Sequence, residues 1–187
     1  GGITTLLSGR ISPQLNNLTD IKASRISNFS GNVRPGEQVW WYFDGNSSRQ
    51  QPNYFPDASA IEHRIITWMA WKYGVSGIMH QENNSIFSLI HPAVKEPSQQ
   101  FVEKLYVPTV RWELIRESIE DYDYLNILKK RIDTAKKAGK PENVIAQAEA
   151  ALEASTGFIR STSDFDRDPK KLKVARENVA KAISSLK

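Results

Sequence analysis

Nine of the eighteen aromatic residues, Trp40, Trp41, Tyr42, Phe43, Tyr54, Phe55, Trp68, Trp71 and Tyr73, fall within 34 consecutive positions of this 187-residue chain. Aromatic faces offer broad apolar area with a polar edge, which suits stacking on flat or sugar-ring ligands. The same density also suits a hydrophobic core concentrated in this stretch. Other chemistry-bearing types are sparse. The chain has no cysteine, which excludes a disulfide framework, a thiolate metal site and thiol catalysis. Its three histidines, His63, His80 and His91, have neither H-x-x-x-H nor H-x-H spacing, so no metal and no cofactor is expected. No Asp is followed directly by Glu, and Glu120-Asp121 is the reverse order.

Net charge is +4, with nine basic and eight acidic residues in positions 1–110 and sixteen against thirteen in 111–187. Interleaved charges of this kind mark solvated helix faces and argue against a nucleic-acid partner. No apolar run approaches the ~18–20 residues of a membrane span, and no signal peptide is visible at the start. Four N-x-S/T sequons, at Asn17, Asn28, Asn46 and Asn83, are compatible with a secreted eukaryotic protein and carry no meaning in a bacterial one; an extracellular or periplasmic setting is the expectation.

The elements that must position the aromatics alternate. Ile3–Leu7 reads as a buried strand and 17–28 as a helix with Leu18, Ile21, Arg25 and Ile26 near one face. Val39–Phe43 is continuously apolar, as a strand covered on both faces should be. Ser59–Tyr73 is a helix stopped by Gly74, Val75–Gln81 a strand, and Ile86–Ile90 a further extended piece. The order predicts parallel strands with crossover helices, Val39–Phe43 adjacent to Val75–His80. Past Pro108 the texture is helical. Trp112, Ile115, Ile119, Tyr122, Leu125 or Asn126, Leu128 and Ile132 form a stripe, followed by helices over Pro141–Ser155 and from Asp168-Pro169 to Leu186. This last part should fold back on the Arg111–Ile132 helix. The expected division is 1–110, strands and crossover helix, and 111–187, a closing helix with a bundle extension.

Two ordered blocks carry a resemblance. The first is Gly36-Glu37-Gln38-Val39-Trp40-Trp41-Tyr42, then Pro52-Asn53-Tyr54-Phe55, then the segment from Glu62 through Arg64, Trp68 and Lys72-Tyr73-Gly74 to Gly77. The second is Arg111-Trp112-Glu113-Leu114-Ile115-Arg116-Glu117-Ser118-Ile119-Glu120-Asp121-Tyr122-Asp123-Tyr124-Leu125. Together they resemble the C-terminal part of the catalytic barrel in glycoside hydrolase family 123 and the related domain of unknown function 4091 proteins. The resemblance implies the C-terminal portion of a (β/α)8 TIM-type barrel followed by a helical extension. It also implies hydrolysis of β-linked N-acetylhexosamine, typically N-acetylgalactosamine, assisted by the substrate's own acetamido group. In that family an adjacent Asp-Glu pair does the chemistry upstream of the matched blocks, so no catalytic residue is expected here and the chain alone should be inactive. Where relatives carry Tyr-Trp after the G-x-L of the last strand, this chain has His80-Gln81.

Active sites of such barrels collect at the C-terminal ends of strands. The expected substrate-binding residues are therefore Trp40, Tyr42, Asp44, Asn53, Tyr54, His80 and Gln81, with barrel core or a Pro-Asn turn as the plain alternatives. Arg64 reads as a buried ion-pair anchor to the sheet, Trp68 and Trp71 as core, and Arg111, Glu113, Arg116 and Asp121 as salt-bridge residues. A rival reading is a non-catalytic carbohydrate-binding or structural module on a degraded barrel. Three or four strands cannot close an eight-stranded barrel of about 250 residues. The expected partners are thus a carbohydrate and an upstream segment or second chain that completes the sheet.

Overall fold

The computed structural model describes residues 3–9, 18–31, 33–44, 48–80, 90–92 and 106–187. Four strands, β1 (Leu6–Ser8), β2 (Ile21–Arg25), β3 (Gln38–Phe43) and β4 (Gly77–His80), form one parallel sheet in the order β1-β2-β3-β4. Helix α1 (Ala60–Tyr73) crosses from β3 to β4, so the expected adjacency of these two strands is present. Gly74 ends α1 in the left-handed region at φ 71°, where its N–H bonds the Ala70 and Trp71 carbonyls. A two-stranded antiparallel ribbon, β5 (Ile90–Pro92) with β6 (Tyr106–Pro108), precedes the long helix α2 (Val110–Lys137). Of the extended piece expected over Ile86–Ile90, positions 86–89 lie outside the described residues.

The helix expected over 17–28 is instead strand β2 followed by a 3-10 turn, Ile26–Asn28. Its Ile21, Ala23 and Arg25 also alternate at period two. Pairing with β1 on one side and β3 on the other outweighs a helical pattern of only one or two turns. Two strand boundaries also move, to Leu6–Ser8 and Gly77–His80. Sequon residue Asn28 is exposed; Asn17, Asn46 and Asn83 lie outside the described residues.

Side chains in register on parallel strands share a face. Val39, Trp41, Phe43 and Ile78 point toward α1, and Trp41 is edge-on to Phe29 at 5.2 Å. Trp41 Nε1 is buried there with no acceptor. Helices α3 (Glu142–Ala154) and α4 (Pro169–Ser185) complete a bundle with α2, as expected. Asp168 caps α4 by accepting from the Lys170 N–H at 2.9 Å, with Pro169 at the first turn. Leu125, Leu128 and Ile132 meet Ile145, Leu172, Val179 and Leu186 in one buried cluster that runs on into the core under the sheet. The bundle also grips α1: Lys72 donates to the Thr156 and Ile159 carbonyls, and Phe158 packs on Trp68 at 5.8 Å.

The expected α2 stripe is the buried one in its second half, Leu125, Leu128 and Ile132, but not in its first. Arg111, Ser118, Asp121, Leu125, Leu128, Ile132 and Ala135 face inward, whereas Trp112 and Ile119 are exposed. The reason is Asp121, which is fully buried and binds three groups. Arg64 reaches it at 2.7 Å, Trp68 Nε1 at 3.1 Å and Arg176 Nε at 3.2 Å, tying α1, α2 and α4 together. Arg64 therefore anchors α1 to α2 rather than to the sheet. Arg116 bridges Glu113 and Glu120 on the helix surface.

Candidate functional site

The second face of the sheet carries Ile21, Ala23, Arg25, Trp40, Tyr42, Gly77 and Met79, by the same register argument. Apart from buried Ala23, these residues are half-buried, and none of the large ones joins or packs against the core cluster. Among the described residues no helix lies on it.

Two rows of this face define the site. In the first, Ala23, Trp40 and Gly77 are aligned across three strands. The indole of Trp40 lies over Gly77 so closely that a Cβ there would stand 2.4 Å from ring atom Cε2. Small residues on both sides give the indole room to lie across the sheet. In the second row Arg25, Tyr42 and Met79 are aligned, one step nearer the C-terminal strand ends. The Arg25 guanidinium sits 5.6 Å from the Tyr42 ring centroid and binds Asp44 Oδ2 through Nη2 at 2.6 Å and Nε at 3.3 Å. The hydrogen bond to Asp44, itself only 5% exposed, raises the Arg25 pKa above its ordinary value, so the guanidinium stays charged. The result is an aromatic floor with a charged pair at its C-terminal edge.

Trp40, Tyr42 and Asp44 are thus brought together. Asn53, Tyr54 and His80 form a separate group beneath the strand ends, on the side of α1. Asn53 and Tyr54 are each only 2% exposed. Asn53 donates through Nδ2 to the Asp44 carbonyl at 3.3 Å and accepts from the Tyr54 N–H through Oδ1. Arg111 donates to the Tyr54 carbonyl at 2.9 Å. The Tyr54 ring meets Phe43, His63 and half-buried His80 at 5.1, 6.1 and 5.5 Å. Burial raises the Tyr54 hydroxyl pKa and lowers that of His63. His63 Nδ1 donates to the Ser59 carbonyl at 3.0 Å, which leaves Nε2 as a lone pair without a donor. This group fastens the loop after β3 to its strand. Gln81 lies outside the described residues.

The sequence reading missed Arg25, Met79 and the seat at Gly77. Arg25 was hidden by the helical reading of its segment, and period-two alternation over Ile21–Arg25 was the available signal. No group of three or more His, Asp or Glu suited to a metal ion occurs among the described residues, and no described helix is long and apolar enough to cross a membrane. No protein-family model matches the chain, and no curated protein sequence matches it.

Proposed function

We propose that this chain is the C-terminal portion of a glycoside-hydrolase-like (β/α)8 barrel and that its uncovered sheet face is the sugar-facing wall. The observation that carries the reading is Trp40 laid across Gly77, a half-buried indole held by a close fit on a face that no described helix covers. Such an aromatic surface stacks on the C–H face of a sugar ring, while the half-buried Arg25 guanidinium beside it, held in place by buried Asp44, donates to sugar hydroxyls. The topology supports it as well. Strands follow in sequential parallel order without reversal. Helices α1 and α2 run in the same direction, since Arg64 meets Glu117 and Trp71 meets Tyr122 and Lys129. Both are the habits of a barrel, in which one face of the sheet turns inward.

In the complete barrel the reaction is removal of a β-linked N-acetylhexosamine, the acetamido oxygen attacking the anomeric carbon while an acid protonates the leaving oxygen. The Asp-Glu pair for those two tasks is supplied from upstream of this segment, and this chain contributes binding. The alternative is a non-catalytic carbohydrate-binding module, favoured by the lack of an Asp-Glu pair in the sequence. Tryptophan fluorescence titrated with the β-methyl glycoside of N-acetylgalactosamine tests the binding role. Saturation is expected in the native chain and its loss in a folded Trp40→Ala variant; equal saturation in both defeats the site. Release of nitrophenol from the β-N-acetylgalactosaminide by this chain alone contradicts the assignment of catalysis to an upstream pair.

A further inference from the structure

Arg25 has donors to spare, and the way it is held decides what they suit. A guanidinium carries five N–H groups in a planar fork. Here Nε and Nη2 both donate to one oxygen, Asp44 Oδ2, so Asp44 occupies a side edge of the plane. The end edge, made by Nη1 and the second N–H of Nη2, meets no acceptor among the described residues. The Arg25 side chain keeps 35% of its surface accessible and that of Asp44 only 5%. By alternation Lys22 lies on the opposite face, where Glu37 pairs it at 2.8 Å. Among the described strand residues, Arg25 is therefore the one cation on the aromatic face. It is also fixed in place. Asp44 opens the loop that Asn53 closes by donating to the Asp44 carbonyl, and Arg111 holds the adjoining Tyr54 carbonyl. A sugar hydroxyl is served by a single donor. Two parallel N–H groups at a fixed edge match two oxygens of one anion, and such charge-assisted pairs are the stronger ones.

We infer that the sugar this wall takes is an acidic one: the ring stacked on Trp40 carries a carboxylate or a sulfate at its exocyclic carbon, and the open edge of Arg25 receives two of the acid's oxygens. The inference rests on the reading of this face as a sugar-facing wall and names the class of sugar. The spacing suits it. Arg25 lies two residues beyond Ala23, the neighbour of Trp40, a rise of about 6–7 Å along the strand. An acidic group on an exocyclic carbon, together with its hydrogen bond, covers that span from a ring centred on the indole. Asp44 offsets the charge of Arg25 at a distance, so the preference acts at contact range and depends on the geometry of the fork.

The test is tryptophan fluorescence titrated at constant ionic strength with three methyl β-glycosides: that of N-acetylgalactosamine, its sulfate ester at the exocyclic carbon, and the corresponding uronic acid. At least one of the two acids should bind about tenfold or more tighter than the uncharged glycoside, and the tighter of the two identifies the acid. The difference should collapse in Arg25→Lys, which keeps a positive charge for buried Asp44 but has no fork. If that variant does not fold, Arg25→Met combined with Asp44→Asn takes its place, because it removes both charges together and leaves no unpaired carboxylate. Equal affinity for the acidic and uncharged glycosides overturns the inference and leaves the sugar wall standing. Selectivity that persists without the Arg25 fork overturns Arg25 as its source. Failure of all three glycosides to bind overturns the reading of the face itself, and the inference with it.

Discussion

The seat of Trp40 makes a sharp quantitative prediction. Gly77→Ala adds one methyl group at a position where the ideal Cβ stands 2.4 to 2.5 Å from three indole atoms. Carbon atoms in good contact are about 3.5–4.0 Å apart, so the ring or the strand must move by roughly 1 Å. Gly77 does not use a left-handed backbone conformation. The cost is therefore steric, and overpacking of this kind costs about 1–3 kcal/mol. Trp40 is half-buried and can swing outward, which places the expectation at about 1–2 kcal/mol. With a urea slope of about 2 kcal/mol/M the midpoint should fall by roughly 0.5–1 M. The decisive assay is a double-mutant cycle. In a Trp40→Ala background the Gly77→Ala substitution should cost almost nothing, because the atoms it strikes are gone. Ligand affinity should fall in Gly77→Ala as it does in Trp40→Ala. An unchanged midpoint, or the same loss with and without the indole, refutes the seat as drawn.

Asp121→Ala removes the buried carboxylate that Arg64, Trp68 and Arg176 share, and should lower stability by about 3 kcal/mol by denaturant unfolding. The lower end of the usual range applies because both arginines keep some solvent contact. His63 is held neutral by burial, so its folded pKa lies below the unfolded value of about 6.5. Its contribution is complete above that value and is lost as pH falls below it, and His63→Leu should flatten this limb of a stability-versus-pH curve. Gly74→Ala, at φ 71°, should cost about 1 kcal/mol in thermal unfolding, with no effect on sugar binding.

Legibility differed by element for identifiable reasons. Gly74, Pro169 and Asp168 mark helix ends by local chemistry alone, and those boundaries were readable to within a residue or two. The Val39–Phe43 strand and its parallel pairing with β4 were readable because an unbroken apolar run between helical patterns has few other uses. On α2 the apolar stripe is inward from Leu125 to Ile132 but not in the turns before it. In those turns a buried carboxylate shared by two arginines and a tryptophan occupies the inward face, and hydrophobic periodicity carries no record of such a long-range ion pair. Asn53 and Tyr54 looked like ligand residues because they sit on a loop, yet their polar groups close that loop on Asp44 and Arg111.

By itself the sequence determined the secondary-structure types over most of the chain, the absence of thiol chemistry and the place where aromatics concentrate. Each is a property of near neighbours, fixed by propensity, capping and composition. Tertiary structure alone decided what the segment Ile21–Arg25 became and which face of the first turns of α2 is inside. Residues Ile21–Arg25 became a strand only because β1 and β3 flank them. Trp40 became a platform only because Gly77, 37 positions later in the chain, lies beside it without a side chain. Contacts between residues far apart in sequence are set by packing and register, and no local pattern encodes which glycine will meet which indole.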